Sequence, residues 1–195
     1  MNAKIDALTK SIADLEAELE IEVARQNAGL RFTLENGKIA FDDETTRRHK
    51  EMRVGYIEYS YKQGFLSLLT SPLILVIALP LILLDVLVSI YHFVCFPIYG
   101  IAKVKRSDHF VFDRHLLSYL NLAEIFNCAY CSYATGLISY VREIAGRTEM
   151  YWCPIKHARR LVNAHSQYSK FFEYGDAEDY IENLYERRKS LGEDD

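Results

Sequence analysis

The chain has 195 residues, 50% of them apolar and 26% charged, and a formal net charge of −4, enough for one ordinary domain or two small ones. With no basic excess, nucleic acid is not a favoured partner. The opening MNAKIDALTKSIADLEAELE is charged throughout and lacks the apolar stretch of a secretory signal peptide.

Residues 1–28 read as a short coiled-coil-like helix. Ile5, Leu8, Ile12, Leu15 and Leu19 alternate steps of three and four, the a/d seam of a coiled coil, with Lys, Asp and Glu at the outer positions. The run is short and marginal as an isolated helix. It serves either packing on its own protein or a protein partner, including a second copy.

Residues 29–64 are expected to form a β-hairpin and a basic helix. Leu30, Phe32 and Leu34 alternate with polar residues before Asn36-Gly37, a pair suited to a two-residue turn, which places a hairpin near 30–41. Asp42 or Asp43 then caps a helix to about Gln63. Arg47, Arg48, Lys50, Arg53 and Lys62, with Tyr56, Tyr59 and Tyr61, have the composition of a cytoplasmic membrane entry.

Residues 65–101 are the expected membrane anchor, FLSLLTSPLILVIALPLILLDVLVSIYHFVCFPIYGI, with Asp85 its one formally charged residue. A span needs roughly 20 apolar residues, so the tract is long for one straight helix and barely enough for two. Pro72, Pro80 and Pro97 favour bends. Basic residues flank both ends, with Lys103, Lys105 and Arg106 after the tract, which predicts both flanks on the cytoplasmic side. These features favour a helical hairpin or re-entrant wedge bent near Pro80. A single tilted span followed by an interfacial Tyr91–Tyr99 segment is the alternative, and a buried soluble hairpin the third. A carboxylate at membrane depth faces protein, water or a partner; Asp85 is read first as a residue near the bend that reaches the interface, and second as a proton or ligand site.

Residues 102–195 are expected to form a cytosolic helical module with a Cys/His site. Leu116, Leu117, Leu120, Ile125 and Phe126 suggest one helix. A second, near 133–148, sets Tyr133, Leu137, Tyr140, Val141 and Ile144 against Arg142, Glu143 and Arg147. A third starts at Pro154 and runs past Phe172. Tyr174-Gly175-Asp176 stops it, and a last helix runs to about Lys189. The fold class is thus mainly α.

Cys128-x-x-Cys131 and Cys153-x-x-x-His157 carry the most chemistry. Each pair falls on one helical face, and together they suffice for a tetrahedral Cys₃His zinc site. Cys95 is an alternative fourth ligand, and four thiolates would suit iron or an iron–sulfur cluster. A competing reading makes Cys153, at the expected helix N-terminus beside Lys156 and His157, a reactive thiol paired with Cys128 or Cys131. Glu143, Glu149, His157 and His165 lack the Glu-x-x-His spacing of a di-iron bundle. No Gly-rich phosphate loop or nucleophile elbow is present.

The stretches LILLDVLVSIYHFVCFPIYGI, FVFDRHLLSYLN, YCSYATGLISYVREIAGRTEMYWCPIKHARR and YGDAEDY, over about residues 75–180, resemble a group of small bacterial membrane proteins. That resemblance implies a bacterial source, hence an inner membrane with both flanks of the anchor cytoplasmic, and supplies no activity, cofactor or catalytic residue. The reading that follows from the residues is a non-catalytic, membrane-anchored adaptor or assembly protein stapled by zinc. The alternative is a membrane-bound redox protein using Cys128, Cys131 and Cys153 for iron or disulfide chemistry. An interfacial enzyme acting on lipid is the third, with no catalytic set to carry it.

Overall fold

The computed structural model describes residues 3–28, 32–35, 38–162 and 164–192. It is mainly helical: α1 (Ala3–Ala28), α2 (Asp43–Glu51), α3 (Tyr56–Gln63), α4 (Phe65–Tyr99), α5 (Leu122–Trp152) and α6 (Ala177–Ser190), with one antiparallel pair of strands, β1 (Phe32–Glu35) and β2 (Lys38–Phe41). The strands pair in the register Phe32↔Phe41 to Glu35↔Lys38, and the intervening Asn36-Gly37 lies outside the described residues. The chain divides into two compact units, Met1–Tyr56 with Asp113–Glu124, and Ile57–Phe112 with Ile125–Asp195.

In the first unit, Leu8, Ile12, Leu15 and Leu19 of α1 are 56–64% exposed, so that seam stands open among the described residues of this unit. The Asp42 carboxylate caps α2 by accepting from the Thr45 amide at 2.9 Å. The single helix expected to reach Gln63 is instead broken between α2 and α3. Long-range polar partners hold this stretch: Arg53 Nε donates to the Ser118 carbonyl, and the Val54 carbonyl accepts from Asn121 Nδ2. Gly55 follows, a weak helix former. Asn121 and Glu124 cap each other reciprocally: Asn121 Oδ1 accepts from the Glu124 amide at 3.0 Å, and Glu124 Oε2 from the Asn121 amide at 2.9 Å. That box starts α5 at Leu122, so no helix joins Leu116 to Phe126.

In the second unit, α4 is one unbroken helix of 35 residues with Pro72, Pro80 and Pro97 inside it. The hairpin or wedge bent near Pro80 is therefore corrected. A proline removes one backbone donor, and in apolar surroundings the remaining backbone groups have no better partners than their own helix. The helix stops at Gly100 (φ 68°), where the Ile101 amide reaches back to the Phe96 carbonyl at 2.9 Å. The stretch from Ile101 to Phe112, here the return segment, then folds back along α4.

One side of α4, from Leu81 through Asp85, Val88, His92 and Phe96 to Tyr99, faces protein. It packs with Ile101 and Val104 of the return segment, Leu137, Tyr140, Ile144 and Met150 of α5, Phe171, and Leu191 after α6. The two helices expected on either side of Cys131 are one helix, since nothing between Ser132 and Tyr133 interrupts the backbone. Among the described residues the third expected helix does not form. Pro154 lacks the amide to continue α5, its carbonyl accepts from the Phe172 amide at 2.7 Å, and the Lys156 amide donates to the Phe172 carbonyl at 2.8 Å. Among the described residues there, Ser166–Lys170 forms a short 3₁₀ turn. Asp176 caps α6 by accepting from the Asp179 amide at 3.0 Å.

Candidate functional site

The polar groups of the second unit gather along the seam between α4, the return segment and α5. The return segment has little periodic structure of its own and is fixed by side chains from both helices. Asp85 accepts from Arg106 Nη1 and Nη2, both at 2.6 Å, and from Tyr133 Oη at 2.9 Å; Ser89 Oγ donates to it from the next turn of α4. Arg106 also lies over the Phe110 ring, 4.2 Å from its centroid. Seven residues after Asp85, His92 is buried. Its Nε2 accepts from the Val104 amide at 3.0 Å; a backbone amide can only donate, so neutral His92 carries its proton on Nδ1, 3.0 Å from Tyr140 Oη.

Small residues on α5 let the loops approach. A Cβ at Gly136 would stand 2.7 Å from the His109 carbonyl oxygen, and one at Gly146 would stand 2.5 Å from His165 Nδ1. His165 Nε2 lies 3.1 Å from Glu149 Oε2. Glu143 accepts from Arg147 Nε at 3.0 Å and from Ser166 Oγ at 2.8 Å, while Arg147 Nη1 donates to the Ala102 carbonyl at 2.8 Å. Burial alone would raise the Glu143 pKa, but the bonds from Ser166 and Arg147 outweigh it and hold the carboxyl below its ordinary value. Burial raises the pKa of the Tyr133 phenol, and its bond to Asp85 adds to the rise. Beside this cluster lies an open pocket of about 370 Å³, lined by Lys103, Val104, Lys105, Asp108, His109, Glu143, Arg147 and Ser166.

The residues expected to form a metal centre are not brought together. Cys128 and Cys131 are one turn apart on α5, whereas Cys153 follows the last residue of the same helix. The 22 steps from Cys131 to Cys153 along a helix correspond to about 33 Å, so no single ion reaches both, given zinc–sulfur bonds of ~2.3 Å. His157 is exposed and stacks on Tyr168, whose hydroxyl accepts from the His157 amide at 2.8 Å. Cys95 lies one turn before Tyr99, which stacks on Tyr151 near the Cys153 end of α5. Among the described residues no three His, Cys, Asp or Glu side chains cluster as metal ligands, so this Cys/His set does not fit zinc or an iron–sulfur cluster as one centre. Cys153 sits at the C-terminal end of α5, so the helix N-terminal amides expected beside its thiol are not there.

Sequence reasoning missed the roles of His92, Arg106, Tyr133 and Tyr140. One signal was available: Asp85 and His92, seven apart in an otherwise apolar run, share a helix face and require polar partners there. No protein-family model matches the chain, and comparison with curated proteins and with solved structures finds no match to it.

Proposed function

We propose that this protein is a non-catalytic adaptor seated on the cytoplasmic face of a bacterial inner membrane, with α4 embedded lengthwise from one side rather than crossing. One observation carries this reading: α4 is apolar enough for hydrocarbon, but a charged, irregular segment runs along its inward side. Leu69–Tyr99 reaches a mean hydropathy of 3.0, and His92 and Phe96 are its two buried residues. Its uncovered face includes Ile82, Leu83, Val86, Leu87, Ile90, Phe93, Val94 and Ile98, all about half exposed or more. An apolar surface of that extent calls for lipid or a partner. Against the opposite side lies the return segment, in which Lys103, Lys105, Arg106, Ser107 and Asp108 are exposed. Irregular backbone and exposed charge are not tolerated against lipid tails, so water must reach that side. One-sided seating also agrees with basic residues at both ends of the tract.

The adaptor role rests on the α1 seam, an exposed apolar stripe at coiled-coil spacing suited to a protein partner or a second copy. The redox alternative would have to work without a Cys131–Cys153 pair, because α5 keeps those two thiols apart. Topology is tested with an impermeant thiol reagent on two single-cysteine proteins, one keeping Cys153 alone and one carrying Lys62→Cys alone. Labelling of both in inverted vesicles and of neither in spheroplasts is the expected result. Labelling from opposite sides would mean that α4 crosses, and recovery of the protein in the soluble fraction would remove the membrane reading altogether.

A further inference from the structure

The pocket between the return segment and α5 has a composition and a position that point to one class of ligand. Val104 is buried in the core while its neighbours Lys103 and Lys105 are exposed, so both lysines point away from the core. Neither forms an ion pair among the described residues. Of the two carboxylates lining the pocket, Glu143 is taken up by Arg147 and Ser166, and Asp108 accepts from the Ser107 hydroxyl at 3.1 Å. His109 adds a further ring at the wall. The pocket therefore has more uncommitted positive charge than negative, which suits a phosphate group.

Its place relative to α4 narrows the source. Lys103 Nζ stands 4.8 Å from the centroid of the Phe93 ring, and Phe93 is 70% exposed on the uncovered face of α4. One pocket cation thus sits at the boundary between an anion-attracting cavity and an apolar surface, a boundary that fits an amphiphile. We infer that this pocket takes the phosphate of an anionic phospholipid headgroup, with the acyl chains lying on the uncovered face of α4. The inference rests on the one-sided membrane seating proposed above.

The test is flotation of the purified full-length protein with vesicles of phosphatidylcholine alone and of phosphatidylcholine mixed with phosphatidylglycerol. The wild type should prefer the anionic vesicles by about thirtyfold more than the Lys103→Gln/Lys105→Gln double variant does, from the usual contribution of two surface lysines. The double variant should keep its binding to phosphatidylcholine. Arg159→Gln/Arg160→Gln, which alters two exposed cations away from the pocket lining, should change the preference far less. An equal loss in that control makes the attraction diffuse and overturns the pocket site. Equal wild-type binding to both vesicles overturns the headgroup inference and leaves the anchor standing, whereas binding to neither overturns both. Inorganic phosphate supplies the last arm. If it stabilises the wild type in detergent but not the lysine double variant, while the vesicle preference survives in that variant, the pocket serves free phosphate and the lipid assignment fails.

Discussion

Arg106 grips Asp85 with both arms of its guanidinium, Nη1 to Oδ1 and Nη2 to Oδ2 at 2.6 Å each, and so ties the return segment to the middle of α4. The pair is unequally placed: the Asp85 side chain is 15% exposed and that of Arg106 43%. A fork of this geometry is stronger than a single contact, though water at the arginine moderates it. Asp85→Asn removes the charge while keeping the size and one acceptor for Tyr133. The expected loss is about 1.5–3 kcal/mol, the range for hydrogen bonds to charged groups. Denaturant unfolding in detergent measures it, and a cycle with Arg106→Met isolates the pair. A coupling energy indistinguishable from zero would mean that the return segment is held by packing alone.

The two glycines of α5 each face a neighbour with little room to give. Gly136→Ala drives a methyl against the His109 backbone carbonyl and the Phe110 ring, and moving them means moving the return segment. Gly146→Ala drives a methyl against the His165 ring and its Cβ, and that side chain is held by Glu149, Tyr168 and Phe171. Alanine favours a helix interior over glycine by about 1 kcal/mol, which works in favour of both variants. Overpacking of about 1–3 kcal/mol exceeds that gain at both positions. Melting temperatures should therefore fall for both variants. An unchanged or raised melting temperature for Gly136→Ala would contradict the close approach of the return segment to α5.

These two seats show which parts of the fold were legible in the sequence. The apolar tract, the Asp42 and Asp176 caps and the mainly helical character follow from local patterns. The continuity of α4 does not, because three prolines weigh toward bends when nothing indicates that the backbone lacks other partners. The return segment has no periodicity, and its position depends on Asp85, His92 and Gly136, which are distant in sequence. Its protein-facing side on α4 was hidden as well, since a helix with protein on one side and an uncovered face on the other is apolar all round. The cysteines misled for a related reason. Cys128, Cys131, Cys153 and His157 have suitable spacing only if the chain turns back before Cys153, and α5 does not.

The reciprocal cap at Asn121 and Glu124 supports the start of α5 and, through Asn121 Nδ2, the Val54 carbonyl at the break between α2 and α3. Asn121→Ala leaves the Glu124 amide and the Val54 carbonyl without these partners, and the cap alone is worth about 0.5–2 kcal/mol. Asn121→Asp restores the acceptor for the Glu124 amide but gives no donor for Val54. Hydrogen exchange should then show faster opening at the first turn of α5 in the alanine variant and near-normal protection there in the aspartate variant. Equal deprotection in both would place the main role of Asn121 on Val54 instead.

Glu143 makes the stability of the second unit depend on acid. Its folded pKa lies below the ordinary value of 4.5, since the bonds from Ser166 and Arg147 outweigh its burial. The unfolded chain therefore takes up this proton first as pH falls. The group contributes its full stabilisation above the ordinary value, and that contribution fades as pH drops through about 4.5 toward the lower folded pKa. Glu143→Gln lacks the titration and the charge-assisted bonds, so it should be less stable than wild type at neutral pH. The gap should narrow steadily in acid and approach the difference between two neutral side chains. Melting curves of both proteins between pH 7 and pH 3 measure this, with other carboxylates cancelling in the comparison. A gap that stayed constant across the range would mean that Glu143 holds Arg147 and Ser166 by shape and not by charge.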